Sequence, residues 1–392
     1  MDHELAPEVS ELRRTVRAFL ERKAPESAVR RVVDAGLGRD AEVWDQLAQQ
    51  LGLHGLLVPE TLGGQGTSFV EMGVVLEEMG RSLLPGPFFS NAVLAVGALT
   101  ASGDDDLASE LLADIAAGTT IATVAFSEGL TGRPGESTAA ARLTEGTWRL
   151  NGQVEAVLDG LAADVLLVVA PVGAQLGLFA VTADSSGLER TPLSGLDLTR
   201  EIARVRFTDV EVRRIGGDFA SGQRHVLALG AVGIAAELAG ATQKVLEMAV
   251  DYAKLREQFG KPIGSFQAVK HLCADIFVTA ESALAVARYA ARVAAEDPEG
   301  LAQSAALAKA YSSEACTLAA ERNIQVHGGI GFTWEHPAHL YLRRIKSAEL
   351  LFGDSAHHRG ELAALLGLTA GPAVGRAARS EARAVSAEPA RV

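Results

Sequence analysis

Cysteine is nearly missing. The 392 residues carry two, Cys273 and Cys316, each inside an apparent helical run. Two thiols in so long a chain cannot build a disulfide framework, and no Cys-x-x-Cys is present for zinc or redox work. Basic charge is also short: 36 Lys and Arg face 49 Asp and Glu, for a formal net charge of −13. That balance argues against a nucleic-acid partner, since nothing neutralises a row of phosphates. A local basic pocket for one phosphorylated cofactor is untouched by the argument. Long uncharged apolar runs are missing too. The nearest, VLALGAVGIAAELAGA at 226–241, is broken by Glu237 and reads as a buried helix, so no membrane span is expected. The start, MDHELAPEVSELRRTVRAFL, has no basic segment followed by an apolar one, so no signal peptide is read and a cytoplasmic location is expected.

What is present is ample material for a core, 48% of residues being apolar. Residues 7–120 repeat apolar side chains at three- and four-residue spacing, as in LRRTVRAFLERKA and SFVEMGVVLEEMGRSL. Near residue 121 the period changes. IATVAFSE, TWRLNGQV, DVLLVVAPV, LGLFAVTA and ARVRFTDVEV are short, rich in Val, Leu and Phe, and divided by turn residues. Helices return from about residue 221 to about 368, and no repeat of fixed period runs through the chain. The expected fold class is α+β, mostly α. It comprises an N-terminal helical domain (1–120), a central antiparallel β domain (121–220), a C-terminal four-helix bundle (221–370) and a flexible tail (371–392).

Two segments carry more than turn chemistry. GGIGFT at 328–333 looks like half of a dinucleotide fingerprint, but it follows a helical run instead of a strand, so the Rossmann reading fails. A Gly-rich helix end remains, either a plain C-cap or a place where bare N–H groups approach a phosphate. REQFGKPIGSFQAVKH at 256–271 interrupts two Ala/Leu-rich helices. There Arg256 offers a fork of donors suited to pyrophosphate, and Phe259 offers a face for a planar ring. Gln325, in QVHGGIG, can hydrogen-bond a nucleotide or ribityl group. Two such segments together point to a nucleotide-containing cofactor.

REQFGKPIGSFQAVKHLCADI resembles the acyl-CoA dehydrogenase signature, and QVHGGIGFTWEHPAHLYLRRIK is similar to that family's later motif. WDQLAQQLGLHGLLVPETLGGQG, VLEEMGRSLLPGP and VRFTDVEV extend the resemblance from about residue 7 to 368. It implies an FAD enzyme, normally a tetramer with the flavin between subunits. Arg256 and Phe259 would then meet the pyrophosphate and adenine side. Gln325, Gly328 and Gly329 would come from the neighbouring subunit, and Ser127 from the first β strand.

The chain departs from the family where the chemistry lies. Thr-Glu-Pro and Ala-Gly-Ser-Asp, expected at the first β strand, are replaced by FSEGLTGRPGES at 126–137, which keeps Ser127 and Glu128. QVEAVLDG follows LNG where the flavin-ring contact Lys-x-Trp-Ile-Thr should stand. The base, a carboxylate that takes the α proton, should stand at 352 or at 230. Those positions hold Phe352, followed by Gly353 and Asp354, and Gly230. Glu237 lies two turns after Gly230 on about the same helix face, and it is the candidate catalytic base. Its alternative is a structural carboxylate paired with an arginine across the subunit interface. Asp354 is less well placed. The small GAVGIAA stretch would leave room for a bulky acyl chain. His336, His339, His357 and His358 match no ligand spacing, so no metal is assigned.

The resemblance implies α,β-dehydrogenation of an acyl-CoA thioester to its trans-2-enoyl product, a step of fatty acid or lipid metabolism. Electrons would pass to an electron-transfer flavoprotein. The other reading is a non-catalytic or half-site subunit, so the assembly is either a homotetramer or an α2β2 heterotetramer with a paralogous chain. A related flavoenzyme of other chemistry is a third.

Overall fold

The computed structural model describes residues 5–103, 105–131 and 136–368. The tail expected at 371–392 lies outside them. Among the described residues six α-helices come first: α1 (Pro7–Lys23), α2 (Glu26–Asp34), α3 (Ala41–Gln49), α4 (Phe69–Ser82), α5 (Val96–Ala101) and α6 (Asp106–Ala117). Several starts are set by side chains that accept from otherwise unpaired N–H groups. Asp40 caps α3, Asp105 caps α6, and Ser68 with Glu71 forms a reciprocal capping box on α4. A π-helical stretch, Ser90–Ala95, leads into α5.

Seven strands follow: β1 (Ala122–Ala125), β2 (Ala140–Thr144), β3 (Thr147–Leu158), β4 (Val165–Val172), β5 (Gln175–Thr182), β6 (Leu188–Leu193) and β7 (Ile202–Ile215). They pair in the order β1-β4-β5-β7-β3-β2, with β6 also on β7. The wholly antiparallel domain expected from the sequence is corrected in one pair, since β1 runs parallel to β4 with Ala122 opposite Val165. The chain leaves β1, turns back through the β2–β3 hairpin and returns in its original direction, which a tight turn alone could not achieve. Along β7, Ala203, Val205 and Phe207 face inward, then Val210 and Val212 do. The phase slips beside Asp209 (φ 53°), where the β3 register shifts between Leu150 and Gly152. A bulge there re-aims the strand.

The C-terminal part holds α7 (Ala220–Leu255), the short hairpin β8 (Glu257–Gln258) and β9 (Lys261–Pro262), α8 (Gln267–Glu296), α9 (Leu301–His327), α10 (Ala338–Ala348) and α11 (Ser355–Leu365). Helices α7, α8 and α9 pack on one another, with α10 and α11 against α9. By length and composition α7 could cross a membrane, but 83% of its apolar window is buried inside the protein, as in a core helix. Its crossing with α4 is very close. A Cβ on Gly80 would lie 2.1 Å from the Glu237 carbonyl oxygen, and one on Gly240 1.8 Å from that of Glu77, so neither position admits a side chain. Buried acids on α4 then tie the layers together: Glu77 accepts from Arg288 of α8, and Glu78 from Arg13 and Arg17 of α1. Burial pushes the Glu77 carboxyl upward, against the pull of Arg288.

Candidate functional site

The two cofactor segments meet at one end of the bundle. Tyr252, in the last turn of α7, stacks on His327 at the end of α9 with ring centroids 4.4 Å apart. Arg256 follows Tyr252 by one turn, and Gln325 precedes His327 by two residues. REQFG and QVHGG therefore share one end of one chain. The sequence reading drew Gln325–Gly329 from a neighbouring subunit; within one chain α7 and α9 run parallel and end side by side, which also puts them near Arg256.

This end is presented outward. Phe259 is 91% exposed, at φ 54° in the β8–β9 hairpin, and touches Phe266 edge-on. Arg256 and Gln325 are exposed as well. The Arg256 backbone is fixed on both sides, its N–H donating to the Tyr252 carbonyl and its carbonyl accepting from Ile263. Gly328 has φ 62°, and nothing lies within 4 Å of where a Cβ would stand on it or on Gly329. Guanidinium, phenyl face, amide and bare backbone together fit the pyrophosphate and adenine side of FAD.

The ring side does not fit. Ser127 is turned inward, with both its N–H and its hydroxyl donating to Gln223 Oε1, at 3.1 and 2.8 Å. The segment QVEAVLDG, which replaces the expected flavin-ring contact, includes Leu158, which is fully buried. Next to it Asp159 is buried and accepts from Ser90, and burial pushes its carboxyl up to about 6. Residues 132–135, within FSEGLTGRPGES, lie outside the described residues.

The two positions at which the resemblance places the base hold Phe352 and Gly230. Phe352 is buried, at φ 59°, with its ring 6.0 Å from Phe89 and 6.1 Å from Phe126, the latter edge-on. At Gly230 and Gly233 of α7 the space that the sequence reading kept for an acyl chain is occupied by neighbouring side chains. A Cβ on Gly230 would meet Leu94 and Phe352 at 3.2 Å, and one on Gly233 would meet the Phe89 ring at 2.8 Å. Large neighbours on other elements have taken the space.

Glu237 is buried and already engaged. It accepts from Arg200 and, at 3.3 Å, from Arg344, while Arg344 also donates to Thr199 at 2.8 Å and reaches Asp197 at 3.4 Å. The partners come from within the chain, not from across an interface. Its carboxylate oxygens are already taken up by two guanidinium groups, so the geometry corrects the candidate base to a structural ion-pair member. Asp354 caps α11 through the His357 N–H.

Sequence reasoning passed over Arg200, Arg344 and Gln223, which are brought in from distant elements. It also passed over Lys309, although a single cation within the small-residue run AALAKAYSS is a visible signal. Lys309 is fully buried, and its amine contacts Ser313 Oγ at 3.0 Å and the Glu349 and Gly353 carbonyls at 2.8 Å. Burial pulls it down to about 7. It holds both flanks of the loop that bears Phe352.

Two family profiles match the chain, "Acyl-CoA dehydrogenase, N-terminal domain" over residues 6–119 and "Acyl-CoA dehydrogenase, C-terminal domain" over 221–367. Acyl-CoA dehydrogenase IpdE2 of Mycobacterium tuberculosis is 33% identical over 341 residues, covering 87% of this chain and 92% of that protein. Among solved structures, a chain of the ChsE4-ChsE5 complex from Mycobacterium tuberculosis superimposes with a TM-score of 0.86 at 29% identity, over 95% of this chain and all of that one. The Tcur3481-Tcur3483 steroid ACAD G363A variant gives 0.82, also at 29% identity, over 93% of this chain and 99% of that one.

Proposed function

The chain belongs to the acyl-CoA dehydrogenase family, and from that premise we propose that it serves as the half-site subunit of a hetero-oligomeric member. The family is FAD-dependent. The observation that carries the proposal is Phe352, packed with Phe89 and Phe126 where the base and the acyl chain would otherwise sit. The pairing of Glu237 with Arg200 and Arg344 supports the same reading.

In this reading the chain contributes the nucleotide-facing end of its bundle to a flavin held mainly by a paralogous subunit. Arg256 pairs with the pyrophosphate, Phe259 lies against a planar ring, and Gln325 with the Gly328 and Gly329 backbone completes the cradle. Bound FAD supplies the acceptor for the hydride leaving the β carbon of the acyl-CoA thioester. The α proton goes to a carboxylate of the partner, and an electron-transfer flavoprotein takes the electrons onward. Solved relatives named as pairs, ChsE4-ChsE5 and Tcur3481-Tcur3483, support a hetero-oligomeric arrangement.

Flavin stoichiometry tests this. The purified chain alone should hold no stoichiometric FAD, and co-expression with a carboxylate-bearing paralogue should give one FAD per two chains. One FAD per chain, with turnover of an acyl-CoA by the chain alone, would overturn the proposal.

A further inference from the structure

At the start of α11 three donor side chains converge beside the Phe352 loop. His357 Nε2 lies 3.5 Å from Glu361 Oε1, and His358 Nδ1 lies 3.7 Å from Glu361 Oε2. All three ligand atoms fall within 4.8 Å of one another. Donors bound to one tetrahedral cation at about 2.0–2.1 Å stand about 3.3 Å apart, so small side-chain adjustments would close the set.

His358 supplies the independent observation. Its ring is about nineteen-twentieths buried, at 5% exposure, yet Nδ1 has no hydrogen-bond partner. Its other nitrogen, Nε2, lies 2.8 Å from the Phe352 carbonyl. A carbonyl can only accept, so Nε2 carries the proton and Nδ1 presents its lone pair to the cluster. Metal-bound imidazoles are oriented in this way, through the second nitrogen on a backbone carbonyl.

The neighbouring cations are committed elsewhere. Arg359 donates to Glu314 and Ser355, and Lys309 is held by Ser313 and by the Glu349 and Gly353 carbonyls. Among the described residues no lysine or arginine pairs with Glu361. Gly353 leaves room for the rings, since a Cβ there would meet His357 at 2.5 Å.

We propose that His357, His358 and Glu361 form a binding site for a divalent transition cation of the Zn²⁺ class. Two imidazoles and one carboxylate favour Zn²⁺, Co²⁺ or Ni²⁺ over Mg²⁺ and Ca²⁺. Three protein ligands leave a coordination position for water. Because His358 also holds the Phe352 carbonyl, the cation would tie α11 to the Phe352 loop. The sequence reading set these histidines aside on spacing alone. On α11 the i,i+4 and i,i+3 spacings place His357 and His358 on the same side as Glu361.

The test uses the full-length chain without an affinity tag, titrated with Zn²⁺ by calorimetry and with Co²⁺ by visible absorption. One ion per chain is expected, with Co²⁺ bands of low coordination number and no competition from Mg²⁺ or Ca²⁺. His357→Ala and Glu361→Gln alter exposed side chains, so both should fold while losing affinity about tenfold or more. Zn²⁺ should raise the melting temperature of the parent and not of either variant. Absence of stoichiometric uptake would overturn the proposal, as would equal affinity in parent and both variants.

Discussion

A Cβ on Gly230 would touch the Phe352 ring at 3.2 Å, so the two positions at which the resemblance places a base look into one space. In this chain one position is bare, and the other fills the space with a phenyl ring braced by Phe89 and Phe126.

That ring is core. Phe352→Ala should therefore destabilise the chain by about 3–5 kcal/mol, the usual cost of removing a buried phenyl group. Denaturant unfolding of parent and variant gives the difference directly. A loss below about 1 kcal/mol would mean that the ring gates an open pocket, and the half-site reading would then lose its main support.

Glu237 separates structure from catalysis. Glu237→Gln leaves Arg200 and Arg344 buried without their shared carboxylate, and breaking such a cluster typically costs about 3–5 kcal/mol. Turnover of the assembly, per folded protein, should stay within a few-fold of the parent. Loss of a general base would instead slow it about 10²–10⁴-fold at unchanged stability. The paired readout of unfolding and steady-state rate distinguishes the two.

Much of this was legible along the chain. The helical periods and the Val-rich strands are local patterns, and each appears where its spacing placed it. Even the slipped alternation in VRFTDVEV is visible, although its cause, the bulge beside Asp209, depends on the partner strand. What escaped depends on long-range contact. The parallel β1–β4 pair joins residues more than forty positions apart, and Glu237 meets Arg200 and Arg344 across 37 and 107 positions. Small residues on α7 suggested an open pocket, because the sequence does not say which side chain from elsewhere fills it.

Arg256 tests the cofactor end. Its side chain is exposed on a hairpin anchored by backbone hydrogen bonds, so Arg256→Ala should leave folding intact. Removing a charge-assisted pair with pyrophosphate should weaken FAD binding by about 1.5–3 kcal/mol. Flavin retention by the purified assembly during dialysis measures this. Retention equal to that of the parent would remove Arg256 as the anchor.

Lys309 makes stability depend on pH in a defined direction. Its unfolded-state amine titrates near the ordinary 10.5, whereas burial brings the folded one down to about 7. Between those values the unfolded chain binds the additional proton, so this group makes the protein more stable as pH rises. The neutral amine remains well satisfied. It can donate to the Glu349 and Gly353 carbonyls and accept from the Ser313 hydroxyl, the same three partners seen around it. Lys309→Met removes the titration and keeps most of the volume. The stability of the parent relative to this variant should climb from pH 7 to 10, at up to about 1.4 kcal/mol per pH unit. Subtracting the variant's curve cancels the groups common to both. A difference that stays flat over that range would mean that the ammonium remains charged when folded, held by its two carbonyls against the cost of burial.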